Sequence, residues 1–178
     1  MGLEFPGVVR ALVLASGYYY PTPRTDAAAS LPSSLPLLGD FLSHIVAPAL
    51  SRITWPHTMS KMFGPLPVPD KFRGFPRGMA LRPSQLTAAA AESVLMVPDA
   101  MMMRGRYADL KMPVVIVTGD RDRLVDGQSQ SARLHSEISQ SSFHILGGHG
   151  HMIHQTATED VVSTLREAAN GLTVIAAE

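Results

Sequence analysis

Two short segments near the end of the chain hold the residue types that acid–base catalysis uses. Residues 119–126 (GDRDRLVD) contain three aspartates, and residues 147–154 (GGHGHMIH) contain three histidines. An aspartate carboxylate can hold an imidazole in one tautomer, which leaves the other ring nitrogen free to accept a proton. An aspartate and a histidine on neighbouring loops therefore indicate a general base oriented by an acid.

Each of these segments follows a short apolar run that is typical of a buried parallel strand. The runs are residues 112–118 (MPVVIVT) and 142–146 (SFHIL), and a third run, residues 8–15 (VVRALVLA), resembles them. We expect the third to be a strand buried on both faces. The carboxyl ends of parallel strands meet at one edge of a sheet, so the two polar loops are expected to be neighbours.

Helical patterns alternate with these runs. Helices are expected at residues 129–138 and 159–169, the second opened by a Thr156–Glu159 capping box and stopped at Asn170-Gly171. Strands alternating with helices predict an α/β fold, with a parallel sheet covered by helices.

The middle of the chain has a different character. About 90 residues separate the first two strands, far more than an ordinary crossover needs. Prolines punctuate short helical pieces such as residues 37–50, and two further helical segments in residues 81–110 are divided at Val97-Pro98. We expect a small, mostly helical cap over one end of the sheet. Its Met and Ala side chains serve either core packing or the lining of a substrate pocket.

On these residues the chain resembles the α/β-hydrolase family. In that family a strand ending in Gly-x-x-Asp supplies the triad acid, which corresponds here to Asp122, and a Gly-His pair after the last strand supplies the base, which corresponds to His151. The resemblance covers the C-terminal half of the family's fold. It implies a partial α/β-hydrolase fold, with a short parallel sheet flanked by helices in residues 1–20 and 111–178 and a helical cap in residues 21–110.

The family's nucleophile elbow, Gly-x-Ser-x-Gly, does not occur in the sequence. The nearest string, residues 127–131 (GQSQS), lacks the second glycine. Ser16 ends the first strand and is expected near Asp122 and His151, which makes it the candidate nucleophile. The alternative is that Ser16 only ends a strand and bonds locally. Ser129 begins a helix after the acid and is expected to lie away from the pair.

The histidine cluster raises the question of a metal site. His144, His149, His151 and His154 lie within eleven residues. Their spacing matches neither the helical His-Glu-x-x-His arrangement nor a thiolate site. No metal and no cofactor are expected, and the histidines other than His151 are interpreted as structural or solvent-facing.

Composition narrows the class of protein. The chain has 178 residues, 15 basic and 15 acidic side chains, a net charge of zero and no cysteine. That length suits one domain. Without a basic stripe, nucleic acid is not an expected partner. No apolar run of about 20 residues is evident, and the charges near the start do not fit a signal peptide. A cytoplasmic protein without a membrane partner is expected.

The strand at residues 8–15 would lie at an open edge of the sheet, where its unpaired backbone groups invite pairing with another chain. We expect a homodimer that covers this strand. Alternatively, the strand twists out of the sheet and packs under the cap.

Two functions remain from the sequence. The resemblance implies a hydrolase of small apolar carboxylic esters, with Asp122 as the orienting acid, His151 as the base and Ser16 as the tentative nucleophile. The alternative is a catalytically inactive remnant that acts as a binding or dimerisation module, because missing oxyanion donors and a missing nucleophile remove most of the catalysis. Activity that depends on His151 discriminates the two.

Overall fold

A three-stranded parallel sheet lies at the centre of the residues described by the structure, a computed structural model that describes residues 2–22 and 46–175. The strands are β1 (Leu12–Ala15), β2 (Val114–Gly119) and β3 (Ser141–Leu146), in the order β1-β2-β3. Every described pair is parallel. The α/β fold class expected from the alternating pattern is confirmed.

The boundaries and burial of the strands differ from the expectation. β1 begins at Leu12 rather than at Val8, because Pro6–Val8 forms a 3-10 turn and leaves Val8 exposed. Only β2 is buried along its whole length, since it lies between the other two strands. β1 and β3 are half-buried edge strands, so the prediction of burial on both faces is wrong for them.

Helices surround the sheet. Among the described residues the α-helices are α1 (Ala47–Phe63), α2 (Arg77–Ala80), α3 (Pro83–Met103), α4 (Arg133–Glu137), α5 (Ile153–Thr156) and α6 (Thr158–Ile175). Short 3-10 turns lie at Asp70–Phe72 and Tyr107–Asp109, and a π-helical turn at Gln128–Ala132 precedes α4. The described part of the expected cap, residues 46–110, is thus helical, while its separation as a domain stays a prediction.

Two helical expectations in the middle of the chain need correction. α3 runs without a break across Pro98, because the fixed φ of proline lies in the helical range even though one N–H bond is lost. Of the helix expected at residues 37–50, residues 37–45 lie outside the described residues. The described part belongs to α1, which continues to Phe63.

The start and end of the last helix also differ from the prediction. α6 begins at Thr158, and the hydroxyl of Thr156 instead donates to the carbonyl of Met152 and lies 2.9 Å from Nδ1 of His149. The capping box is therefore not formed. α6 continues past Asn170-Gly171 to Ile175, since these residues weaken a helix without forbidding it.

A buried glutamine holds the tyrosine-rich turn that follows β1. Gln130 is 1% exposed, and its Oε1 accepts the backbone N–H groups of Tyr19 at 2.7 Å and Tyr20 at 2.8 Å. Its Nε2 donates to the carbonyl of Tyr20 at 2.9 Å. The turn is therefore tied to the π-helical turn after β2, and Tyr19 and Tyr20 belong to a core that includes Ile116 and Leu134.

α3 differs from the expectation that no long apolar segment exists. Among the described residues it is the one helix long and apolar enough to cross a membrane by length and composition. Glu92, Asp99 and several uncharged polar residues interrupt its apolar residues, which is why the run is not evident in the sequence alone. Large apolar side chains on its surface, including Leu95 and Met102, are exposed.

The outer edge of β1 leads to a prediction about assembly. The N–H groups of Leu12 and Ser16 bond to the strand segment 113–117, so those of Val13 and Ala15 point away from β2. β1 stays in the sheet, which rules out the alternative that it twists away.

We expect light scattering at micromolar concentration to give twice the 19.1 kDa mass of one chain, because a second copy would cover the open edge of β1. Val13→Pro removes an outward donor and is expected to give a monomer. A monomeric wild type would contradict the dimer.

Candidate active site

Asp122 and His151 form a pair at the carboxyl edge of the sheet. Oδ2 of Asp122 lies 2.8 Å from Nδ1 of His151. The other carboxylate oxygen accepts the N–H groups of Leu124 at 2.8 Å and Val125 at 3.0 Å. The Asp122 side chain is 1% exposed and that of His151 is 24% exposed. The carboxylate is thus fixed inside the protein, while the imidazole reaches toward solvent.

This geometry sets the protonation pattern of the imidazole. An ionised carboxylate only accepts hydrogen bonds, so the neutral ring of His151 carries its proton on Nδ1. The lone pair then lies on Nε2, the nitrogen away from Asp122. A histidine held in this way can accept a proton from a hydroxyl group or from water.

The two loops that carry the pair are joined by several contacts. The N–H of Arg121 donates to the carbonyl of His149 at 2.9 Å, and the N–H of Gly148 donates to Oδ1 of Asp120 at 2.6 Å. Gly119 permits this approach, because a Cβ there would collide with the carbonyls of His149 and Gly150. The end of β2 therefore needs glycine where the histidine loop crosses it.

The end of α1 rests directly on the histidine loop. The N–H of Met152 donates to the carbonyl of Met62 at 3.2 Å. A Cβ on Gly150 would collide with the carbonyl oxygen of Gly64, the residue that follows α1. These contacts fix the last turn of α1 above His151.

A cavity of about 830 Å³ opens beside the pair, and both His151 and Ser16 line it. Ser16 is 5% exposed, and its hydroxyl has no hydrogen-bond partner among the described residues. Its backbone φ is +46°, a conformation that residues other than glycine seldom adopt. Ser16 is thus a serine of positive φ at a strand end, and it lines the same cavity as His151. A positive φ at a serine that ends a strand also occurs in a nucleophile elbow.

Comparison with solved structures identifies the architecture. An α/β hydrolase fold protein from Burkholderia ambifaria superimposes with a TM-score of 0.68 and 18% identity, over 92% of this chain and 60% of that one. The haloalkane dehalogenase DbeA from Bradyrhizobium elkani USDA94 gives 0.66 and 14%, over 98% and 63%. The chain has a partial α/β-hydrolase fold.

A third structure is matched over a similar share of its length. A thermophilic esterase from Thermogutta terrifontis gives a TM-score of 0.55 and 16% identity, over 96% of this chain and 60% of that one. The chain therefore spans about 60% of the length of these structures. No protein-family model and no curated protein matches the sequence.

Ser129 lies closer to the site than expected. It lines the same cavity as Ser16 and His151, because the π-helical turn at Gln128–Ala132 folds back toward the end of β1. Its N–H donates to the carboxylate of Asp126 at 2.8 Å. Hydrogen bonding from Ser129 is the main reason that the pKa of Asp126 is lowered. The hydroxyl of Ser129 lies 3.4 Å from the carbonyl of Asp126, to which it donates. The expectation that Ser129 lies away from the pair is wrong.

Sequence reasoning missed the contribution of α1 to the site. Four of its residues line the cavity, namely His57, Thr58, Lys61 and Met62. They recur at the spacing of one helix face, a signal present in the sequence. Without knowledge of which face meets the histidine loop, that spacing does not mark a functional site.

The remaining histidines of the cluster have separate surroundings. Nε2 of His144 lies 2.8 Å from a carboxylate oxygen of Glu167 on α6. His154 lines a second cavity. Its pKa is lowered, mainly by burial and to a smaller extent by its electrostatic interactions with His151 and Lys71. In the described ranges, no three His, Asp or Glu side chains are grouped as metal ligands.

Proposed function

We propose that this partial α/β-hydrolase cleaves small carboxylic esters, with His151 as general base, Asp122 as the group that orients it and Ser16 as nucleophile. The observation that carries the proposal is the Asp122–His151 pair, because His151 lines the same cavity as Ser16, whose hydroxyl has no hydrogen-bond partner among the described residues. A thermophilic esterase is among the structures of similar fold.

The reaction follows from the atoms available. Nε2 of His151 takes the hydroxyl proton of Ser16 as the serine oxygen attacks the ester carbonyl carbon. The imidazolium, stabilised by Asp122, then gives that proton to the leaving alkoxide oxygen, and an acyl-serine remains. A water molecule, deprotonated by the same nitrogen, releases the carboxylic acid and restores the hydroxyl.

Substrate size follows from the cavity. A volume of about 830 Å³ lies in the range of small-molecule sites. Met62, Met96 and Val125 supply apolar surface for an acyl chain. A short-chain ester fits this mixture of apolar walls and hydroxyl groups.

The test is hydrolysis of p-nitrophenyl butyrate by the purified protein and two serine variants. Ser16→Gly removes the hydroxyl and accepts the positive φ, so it separates loss of the nucleophile from backbone strain. We expect Ser16→Gly to lower kcat by about 10³-fold or more, because no attacking oxygen remains. Ser129→Ala, from the same cavity wall, is the matched control and is expected to change kcat less than about twofold.

Two results would contradict the proposal. Turnover unchanged in Ser16→Gly would exclude this serine as nucleophile. No turnover by the folded wild type would favour the alternative, in which the cavity only binds its ligand.

A further inference from the structure

Positive charge is concentrated on one wall of the cavity beside His151. Lys61, in the last turn of α1, supplies an ammonium group to this cavity. Arg123, on the loop after β2, adds a guanidinium group to the same cavity. The charges thus come from two separate elements that meet at the site.

Arg123 is held against the end of α1. A Cβ on Gly64 would lie 2.7 Å from Nη1 and 3.1 Å from Cζ of Arg123. The guanidinium group therefore packs on the Gly64 backbone, in a space that only glycine leaves open. The same glycine approaches Gly150 of the histidine loop, so Arg123 and the histidine loop meet at the end of α1.

The acidic groups on this wall do not balance the cations. Asp126 is the one acidic side chain among the described residues that line the cavity, and it already accepts the N–H of Ser129 at 2.8 Å. Neither Lys61 nor Arg123 forms an ion pair with another described residue. Both cations are therefore available to an anion that enters the cavity.

We infer that the cavity selects esters whose acid half carries a second, free carboxylate, which Lys61 and Arg123 bind. This inference rests on the proposed ester hydrolysis. Guanidinium and ammonium groups form charge-assisted hydrogen bonds with carboxylates, and Met62 and Leu124 supply apolar contacts for the methylene groups between the two carbonyl carbons. A monoester of a short dicarboxylic acid has this chemistry.

A structural role for the two cations makes a different prediction. Lys61 lies in the last turn of α1 and Arg123 packs at its end, where positive charge stabilises a helix. If that were their whole purpose, neutral variants would lower the Tm and leave substrate preference unchanged. Substrate preference is therefore the decisive measurement.

The experiment compares two esters with five-carbon acid halves, p-nitrophenyl hydrogen glutarate and p-nitrophenyl valerate. At low salt we expect the wild type to prefer the glutarate ester in kcat/KM by about tenfold, with a smaller preference at high salt. Lys61→Gln and Arg123→Gln are each expected to lower this preference by about two- to fivefold, and the double variant to abolish it. Arg121→Gln on the same loop and Lys111→Gln at the opposite end of the sheet are matched controls that should keep it.

Calorimetric titration with free glutarate separates this inference from the proposed activity. Binding by the wild type that weakens in Lys61→Gln and Arg123→Gln supports the anion site even if neither ester is hydrolysed, in which case the proposed hydrolysis fails alone. Hydrolysis of both esters without preference, together with no glutarate binding, would overturn the inference and leave the hydrolysis standing. Equal losses in the control variants would also overturn it.

Discussion

His151→Ala is expected to lower kcat for p-nitrophenyl butyrate by about 10²- to 10⁴-fold. The variant removes the nitrogen that we propose as the proton acceptor, and it leaves the buried carboxylate of Asp122 without its 2.8 Å partner. Steady-state kinetics at neutral pH, with protein shown to be folded by circular dichroism, measures the effect.

Asp122→Asn tests the orienting role separately. The amide keeps the shape of the carboxylate but can donate toward Nδ1, which favours the ring tautomer with its proton on Nε2. We expect kcat to fall by a similar factor, since that tautomer cannot accept a proton from the nucleophile.

His144→Ala is the matched control for both variants. His144 belongs to the same histidine-rich region but pairs with Glu167 on α6. Its loss is expected to leave kcat unchanged. Wild-type activity in His151→Ala would exclude the triad, and turnover would then have to come from another group.

Gly150→Ala is expected to destabilise the protein by about 3 kcal/mol. The new Cβ would collide with the carbonyl oxygen of Gly64 and lie 3.3 Å from that of Phe63. Both are backbone atoms, so relief requires the end of α1 to move away from the histidine loop. Thermal unfolding should show a decrease in Tm of about 6–12 °C.

Gly147→Ala provides the comparison within the same loop. No heavy atom lies within 4 Å of a Cβ at Gly147, and its φ is not positive. We expect its Tm to remain within about 2 °C of the wild type, as for a surface change. Equal Tm values for the two variants would mean that the end of α1 does not press on the histidine loop.

The parts of this fold that the sequence predicts are those with a local signature. β2 and β3 are apolar runs that end at glycine, and the Asp122–His151 pair follows from their parallel arrangement. The loops after β2 and β3 are neighbours because the carboxyl ends of adjacent parallel strands lie at the same edge of the sheet. Their catalytic roles stay predictions.

The parts that the sequence does not predict depend on contacts between distant segments. Nothing near Gly64 indicates that it meets Gly150, and nothing near Gln130 indicates that its amide holds Tyr19 and Tyr20. These contacts arise from the packing of the middle segment on the sheet. For the same reason, the sequence does not mark the α1 residues that line the cavity. The continuity of α3 is not predicted either, because a proline inside a helical pattern usually marks a break.

The three hydrogen bonds of Gln130 tie together two turns that line the candidate site. They connect the turn after Ser16 to the π-helical turn that carries Ser129, and they lie in the interior, where a broken bond finds no water to replace it. Neither turn can open without breaking all three. We therefore expect these two turns, which carry Ser16 and Ser129 of the cavity wall, to unfold together.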